Sequence, residues 1–193
     1  MKIFDRSFLV GLATGIVLGI LIVIFGGYIL IRSVAPKPGE GLEAMLQPPP
    51  LPVQTKMNYD WRVKGLDGNQ LDVAETKGKV VFLNFWATWC PPCVAEIPSI
   101  QRLYDKIKGE EVVFLCVSGE SESRVMEFVR EKGLTLPVYT IVGEKPQVFM
   151  TRGIPATFIV SPDGQIVFKH VGIAKWDDQT TVAFIKELIR PNP

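Results

Sequence analysis

The 193-residue chain holds one histidine and three cysteines. A single histidine excludes a His-rich metal site, and three cysteines exclude the disulfide-dense scaffold of a small secreted domain. Charge of neither sign accumulates: 21 lysines and arginines face 20 aspartates and glutamates, for a net charge of +1. The chain therefore lacks the broad basic field that would hold nucleic acid, and it lacks the acidic excess of a disordered tail. Internal repeats are absent too. Apolar residues are plentiful at 47%, enough for a real core in one ordinary domain plus an appendage.

The apolar excess, which lifts the mean hydropathy to +0.22, is concentrated at the front. After a short tail, residues 1–7, the stretch from Phe8 to Ile31 runs for 24 residues without a charge. At about 1.5 Å per residue a helix of that length reaches roughly 36 Å, more than the roughly 30 Å hydrocarbon core of a bilayer. All its backbone groups can pair internally, as lipid demands. A cleaved signal peptide would have an apolar region of only about 7–15 residues, so residues 8–31 are expected to remain as a transmembrane anchor. Lys2 and Arg6 before the run nearly balance Arg32 and Lys37 after it, and only the α-amino group tips the N-terminus towards the cytoplasm. Residues 32–57 carry six prolines, including the run Gln47-Pro-Pro-Pro-Leu-Pro52, and read as an extended, semi-rigid spacer.

From residue 58 to 193 strand and helix signals alternate. Leu66-Asp-Gly-Asn-Gln-Leu71 has the Asp-Gly turn of a tight hairpin. Lys79–Phe85 and Glu111–Val117 are short runs rich in β-branched and aromatic residues, the pattern of buried strands. Helical stretches are expected over Pro91–Ile107, after Ser121, and over Asp177–Ile189. Ala156–Val160 and Gln165–His170 form two strands joined by the turn Ser161-Pro-Asp-Gly164. This order predicts an α/β mixed sheet with helices on both faces.

The chemistry lies in Trp89-Cys90-Pro91-Pro92-Cys93, between the first buried strand and its helix. Two cysteines three apart at a helix start can bridge within one turn. Cys90 is expected to be exposed at the positive end of the helix dipole, which favours its thiolate, with Cys93 behind it to resolve a mixed disulfide. Pro91 suits the first helical position, where its missing N–H costs nothing. A zinc site would need a second ligand pair, and only Cys116 and His170 remain; neither a metal nor a cofactor is expected. Cys116, mid-strand in an apolar run, reads as an inert buried thiol, and His170 as structural.

Asn84-Phe-Trp-Ala-Thr-Trp-Cys-Pro-Pro-Cys93, taken with Gly153-Ile-Pro-Ala-Thr-Phe158, resembles the membrane-anchored thioredoxin-like proteins of the TlpA/ResA family. The resemblance covers roughly Asn58 to Ile189. It implies a thioredoxin-like fold with an added N-terminal β-hairpin, facing outward from the cell membrane and acting as a thiol–disulfide oxidoreductase. It also implies that Pro155 is a cis-proline facing the cysteines, and that Ile154 before it pairs by its backbone with a substrate strand. Pro98 matches the proline that kinks the active-site helix. Glu96, one turn after Cys93, corresponds to a glutamate of the ResA branch and is expected to exchange a proton with Cys93. Thioredoxins carry a buried aspartate where this chain has Asn84.

No Lys, Arg or His lies within Ala87–Glu96, and two prolines remove backbone donors, so little stabilises a thiolate there. A strong oxidant owes its potential to a stabilised reduced form, so a reductant is expected. Trp89 is expected to shape an apolar docking surface, with Trp86 either beside it or in the core. The resemblance suggests oxidised exported proteins, such as apocytochrome c, as substrates, and a transmembrane thiol carrier of the CcdA/DsbD type as electron donor. A disulfide-forming oxidase or isomerase is the nearest alternative. A thiol peroxidase would want Thr three residues before its cysteine, where Ala87 stands. A non-catalytic adaptor would not need the cysteines.

Overall fold

The computed structural model describes residues 17–29 and 55–190. Residues 17–29 are helical, and apolar side chains such as Val17, Leu21 and Phe25 are more than half exposed along them. Among the described residues no helix is long and apolar enough to cross a membrane. The tail 1–7, the remaining residues of the expected anchor 8–31, and the proline-rich stretch as far as residue 54 lie outside the described residues.

The second described segment is built on one eight-stranded mixed sheet, in the order β1-β8-β7-β4-β5-β6-β2-β3. Its centre is β4 (Val80–Trp86), buried at all seven positions, which pairs in parallel with β5 (Val112–Ser118) and antiparallel with β7 (Ala156–Val160). Burial on both faces explains why these strands read as continuous apolar runs rather than alternating ones. β8 (Gln165–Val171) returns from β7 as a hairpin, and β1 (Thr55–Lys56), inside the stretch expected to be linker, closes that edge. At the other edge β2 (Arg62–Gly65) and β3 (Gln70–Asp72) form the expected N-terminal hairpin. Gly68 there takes φ +87°, a conformation that side chains with a Cβ rarely adopt. β2 docks on β6 (Val138–Val142), a strand missing from the sequence-based order although its Val-Tyr-Thr-Ile-Val run carries the β-branched signal.

Within residues 55–190 three α-helices are described: α1 (Pro91–Ile107), α2 (Glu122–Lys132) and α3 (Gln179–Ile189). The expectation of helices on both faces is corrected here. Ile97, Ile100, Leu103 and Ile107 of α1, Val125 of α2 and Ile185 of α3 all enter one core with Val80, Phe82 and Trp86. The steps β4 to β5 and β5 to β6 run the same way along the sheet, so right-handed crossovers lay α1 and α2 on the same face. The opposite face is covered by non-α segments: Met57 and Trp61, the 3-10 turn Val73–Thr76, and Phe149 of a second 3-10 turn, packed on Val81, Leu83 and Phe85.

Candidate active site

The end of β4 feeds directly into the cysteine motif. Cys90 is the N-cap of α1, and its sulfur accepts from the Cys93 amide at 3.3 Å. Pro91 and Pro92 occupy the first two helical positions, where a missing N–H is no loss. The cysteines form a disulfide, with Cα atoms 5.3 Å apart. Cys93 is fully buried behind it. Pro98 lies inside α1 on its exposed side.

The loop before β7 approaches from the strand next to β4. The Ile154–Pro155 peptide bond is cis, and the Ile154 carbonyl oxygen lies 3.7 Å from the Cys90 sulfur. The Pro155 carbonyl accepts from Gly172 N at 2.8 Å, tying this loop to the end of β8. The contact with Ile154 helps explain a departure from expectation: Cys90 is only 4% exposed in the oxidised pair. Trp89 beside it is 65% exposed, and Val171 and Ile173, on either side of Gly172, are also exposed. Trp86 belongs to the core, against Phe128 of α2.

Glu96 lies one turn below the cysteines and is 1% exposed. A buried carboxylate is costly unless hydrogen bonded, and this one is. Asn84 Nδ2 donates to Oε1 at 2.9 Å, while the Ala174 amide and the Trp176 indole N–H both donate to Oε2 at 3.1 Å. Asn84 spends its other amide hydrogen on Thr157 Oγ1 at 2.9 Å. Removal from water is the dominant influence and pushes the Glu96 carboxyl up to about 7, against the pull of the three donors.

The segment after β8 is stitched along one face of α1. Trp176 N donates to Ser99 Oγ at 3.2 Å, Asp177 accepts from Arg102 Nε at 2.6 Å, and the Asp177 carbonyl accepts from Lys106 Nζ at 2.5 Å. With Glu96, the four α1 partners are spaced three, three and four residues apart, which is one side of a helix.

A second clamp holds the loop ahead of Cys90, and sequence reasoning missed it. Glu120 accepts from Thr88 N at 2.6 Å and from Thr88 Oγ1 at 2.8 Å, and it pairs with Arg124 Nε at 3.2 Å. The Glu120/Arg124 spacing of four is visible in the sequence. The link to Thr88 depends on sheet register, in which Trp86 faces Ser118 across β4 and β5. Each strand continued by two residues brings Thr88 to Glu120.

Cys116 is a buried free cysteine opposite Asn84, and burial drives its thiol far up, as an inert group requires. His170 packs its ring 6.0 Å from that of Trp176. Among the described residues no cluster of His, Cys, Asp or Glu is placed to hold a metal ion. The arrangement is a dithiol/disulfide pair at a helix start, with a buried proton-binding carboxyl beneath and an apolar rim around it.

Residues 55–169 match the model of the AhpC/TSA family. The chain is 37% identical over 114 residues to the thiol-disulfide oxidoreductase ResA of Bacillus thuringiensis, covering 57% of this chain and 65% of that protein. It is 35% identical over 131 residues to ResA of Halalkalibacterium halodurans, covering 67% and 73% respectively. A thiol:disulfide interchange protein of the thioredoxin family from Chlorobium tepidum shares the fold, with a TM-score of 0.56 at 24% identity over 75% of this chain and 98% of that one.

Proposed function

Since this chain belongs to the AhpC/TSA family and groups there with the ResA proteins, we propose that it is a membrane-tethered thiol–disulfide oxidoreductase working outside the cytoplasm. Its task is to reduce disulfides of exported proteins, apocytochrome c among them. The observation that carries this reading is the Cys90–Cys93 pair capping α1 beside the Ile154–Pro155 loop, with a buried carboxyl one turn below.

In the reduced enzyme the Cys90 thiolate attacks one sulfur of a substrate disulfide. The substrate S–S bond breaks, one substrate thiolate leaves, and a mixed disulfide forms on Cys90. Cys93 then loses its proton to Glu96 and attacks the Cys90 sulfur. The second substrate thiolate leaves, and the enzyme holds the Cys90–Cys93 disulfide seen here. Two electrons pass from enzyme to substrate. A substrate strand lies against the Ile154 backbone, with Trp89 supplying apolar contact. Regeneration requires the reverse exchange with a donor that carries electrons through the membrane, of the CcdA/DsbD type. The charge-free run 8–31, whose described part exposes its apolar side chains, supports the tether.

Trapping tests the reading. In the full-length chain Cys93→Ala should accumulate partner proteins linked to Cys90 and released by reductant, while Cys90→Ala should accumulate none. Equal recovery from both variants would refute the mechanism. Equilibration with glutathione should give a potential below about −150 mV, and a value near the strong-oxidant range would assign an oxidase instead.

A further inference from the structure

The carboxyl of Glu96 offers about four lone-pair sites, two on each oxygen. The two oxygens are not filled alike. Oε2 takes two donors, the Ala174 amide and the Trp176 indole N–H, each at 3.1 Å. Oε1 takes one, from Asn84, whose other hydrogen is committed to Thr157. One site is left, and it is on Oε1.

We infer that Trp176 is a positioning residue for the dithiol chemistry: its indole N–H, with the Ala174 amide, saturates Oε2 of Glu96 and leaves Oε1 as the atom that takes up and returns the proton. This rests on the proton-exchange role of Glu96 proposed above. Trp176 is well placed to hold such a role. It is 2% exposed, and its ring meets Phe82 edge-on at 5.4 Å and Phe168 edge-on at 6.0 Å. Its backbone N–H is separately fixed to Ser99, which itself donates to the Glu96 carbonyl at 2.7 Å. The indole therefore cannot swing away from the carboxylate without disturbing both its packing and α1.

The donor also favours the charged form of Glu96, opposing the burial that raises its proton affinity. Other titratable groups around this site are few. Cys93 precedes Glu96 on α1, Cys116 faces Asn84 from β5, and the His170 ring of β8 lies 6.0 Å from the Trp176 ring. None of these donates to the carboxylate, so the indole N–H can be removed with little else changed.

The test uses the oxidised full-length chain, with Trp176 replaced by benzothienylalanine, which keeps the bicyclic shape and substitutes sulfur for N–H. Trp176→Phe serves as the genetically simple companion. The Glu96 carboxyl is titrated by isotope-edited NMR, its signal assigned by loss in Glu96→Gln. Without the donor, the midpoint should rise by about one to two pH units, a ten- to hundredfold gain in proton affinity, as expected for one hydrogen bond to a charged group. A midpoint unmoved in the isosteric variant overturns the inference, even if Trp176→Phe fails to fold. The pH profile of disulfide exchange is followed in parallel. A profile that ignores a shifted carboxyl refutes the proton role of Glu96, not the hold of Trp176 on it.

Discussion

Burying Glu96 makes the stability of this protein fall as the solution turns alkaline, and Glu96→Gln isolates the effect. The folded-state carboxyl titrates near 7, against an ordinary value of 4.5. Between those values the native protein keeps a proton that the unfolded chain releases, so the unfolded state is progressively favoured. The stabilisation is complete below 4.5, declines through the interval, and is gone above about 7. A span of roughly 2.5 units at 1.36 kcal/mol each amounts to about 3 kcal/mol. Glutamine cannot titrate, so its variant should not show this loss. Its amide also offers one acceptor oxygen where the carboxylate offered two, which adds an offset independent of pH. Only the slope is diagnostic. Denaturant unfolding of the oxidised full-length chain and of Glu96→Gln, from about pH 4 to pH 9, gives the two curves, and groups common to both cancel in their difference. The stability of wild type relative to the variant should decline by about 3 kcal/mol towards the alkaline end. Parallel curves would refute the claim that burial holds this carboxyl near neutrality.

Glu120→Ala strips the partner from the Thr88 amide and hydroxyl and should cost about 1–3 kcal/mol, read as a lower urea midpoint; an unchanged midpoint would show that the loop does not depend on this clamp. Alkylation of the reduced native protein should label Cys90 and spare Cys116 until the chain is denatured, checked by peptide mass spectrometry. Comparable labelling of Cys116 in the native state would contradict its burial.

Much of this site could be read in the sequence because its chemistry is local. Cys90 and Cys93, their prolines and the helix that follows are contiguous, and the uncharged strand before them is a buried run. The Asp67-Gly68 turn likewise carries its own hairpin signal. What stayed hidden depends on distant segments meeting. Nothing near Glu96 announces that Ala174 and Trp176 cover it, since they lie 78 and 80 positions away. The Thr88–Glu120 clamp follows from the β4–β5 register, which strand patterns do not specify. The one-sided placement of the helices required knowing where β6 inserts, and the limited exposure of Cys90 required knowing where the Ile154 carbonyl rests.

The bonds from Glu96, Ser99, Arg102 and Lys106 to the stretch just ahead of α3 act like rivets down a single seam. A rod fastened in that way resists rolling about its own axis, because every rivet would shear together. With Thr88 held by Glu120, whatever adjustment accompanies the making and breaking of the sulfur–sulfur bond is therefore confined to the unriveted tip, from Trp89 to Val94. The surface around Cys90 can then differ between the two oxidation states while the body of the fold stays still.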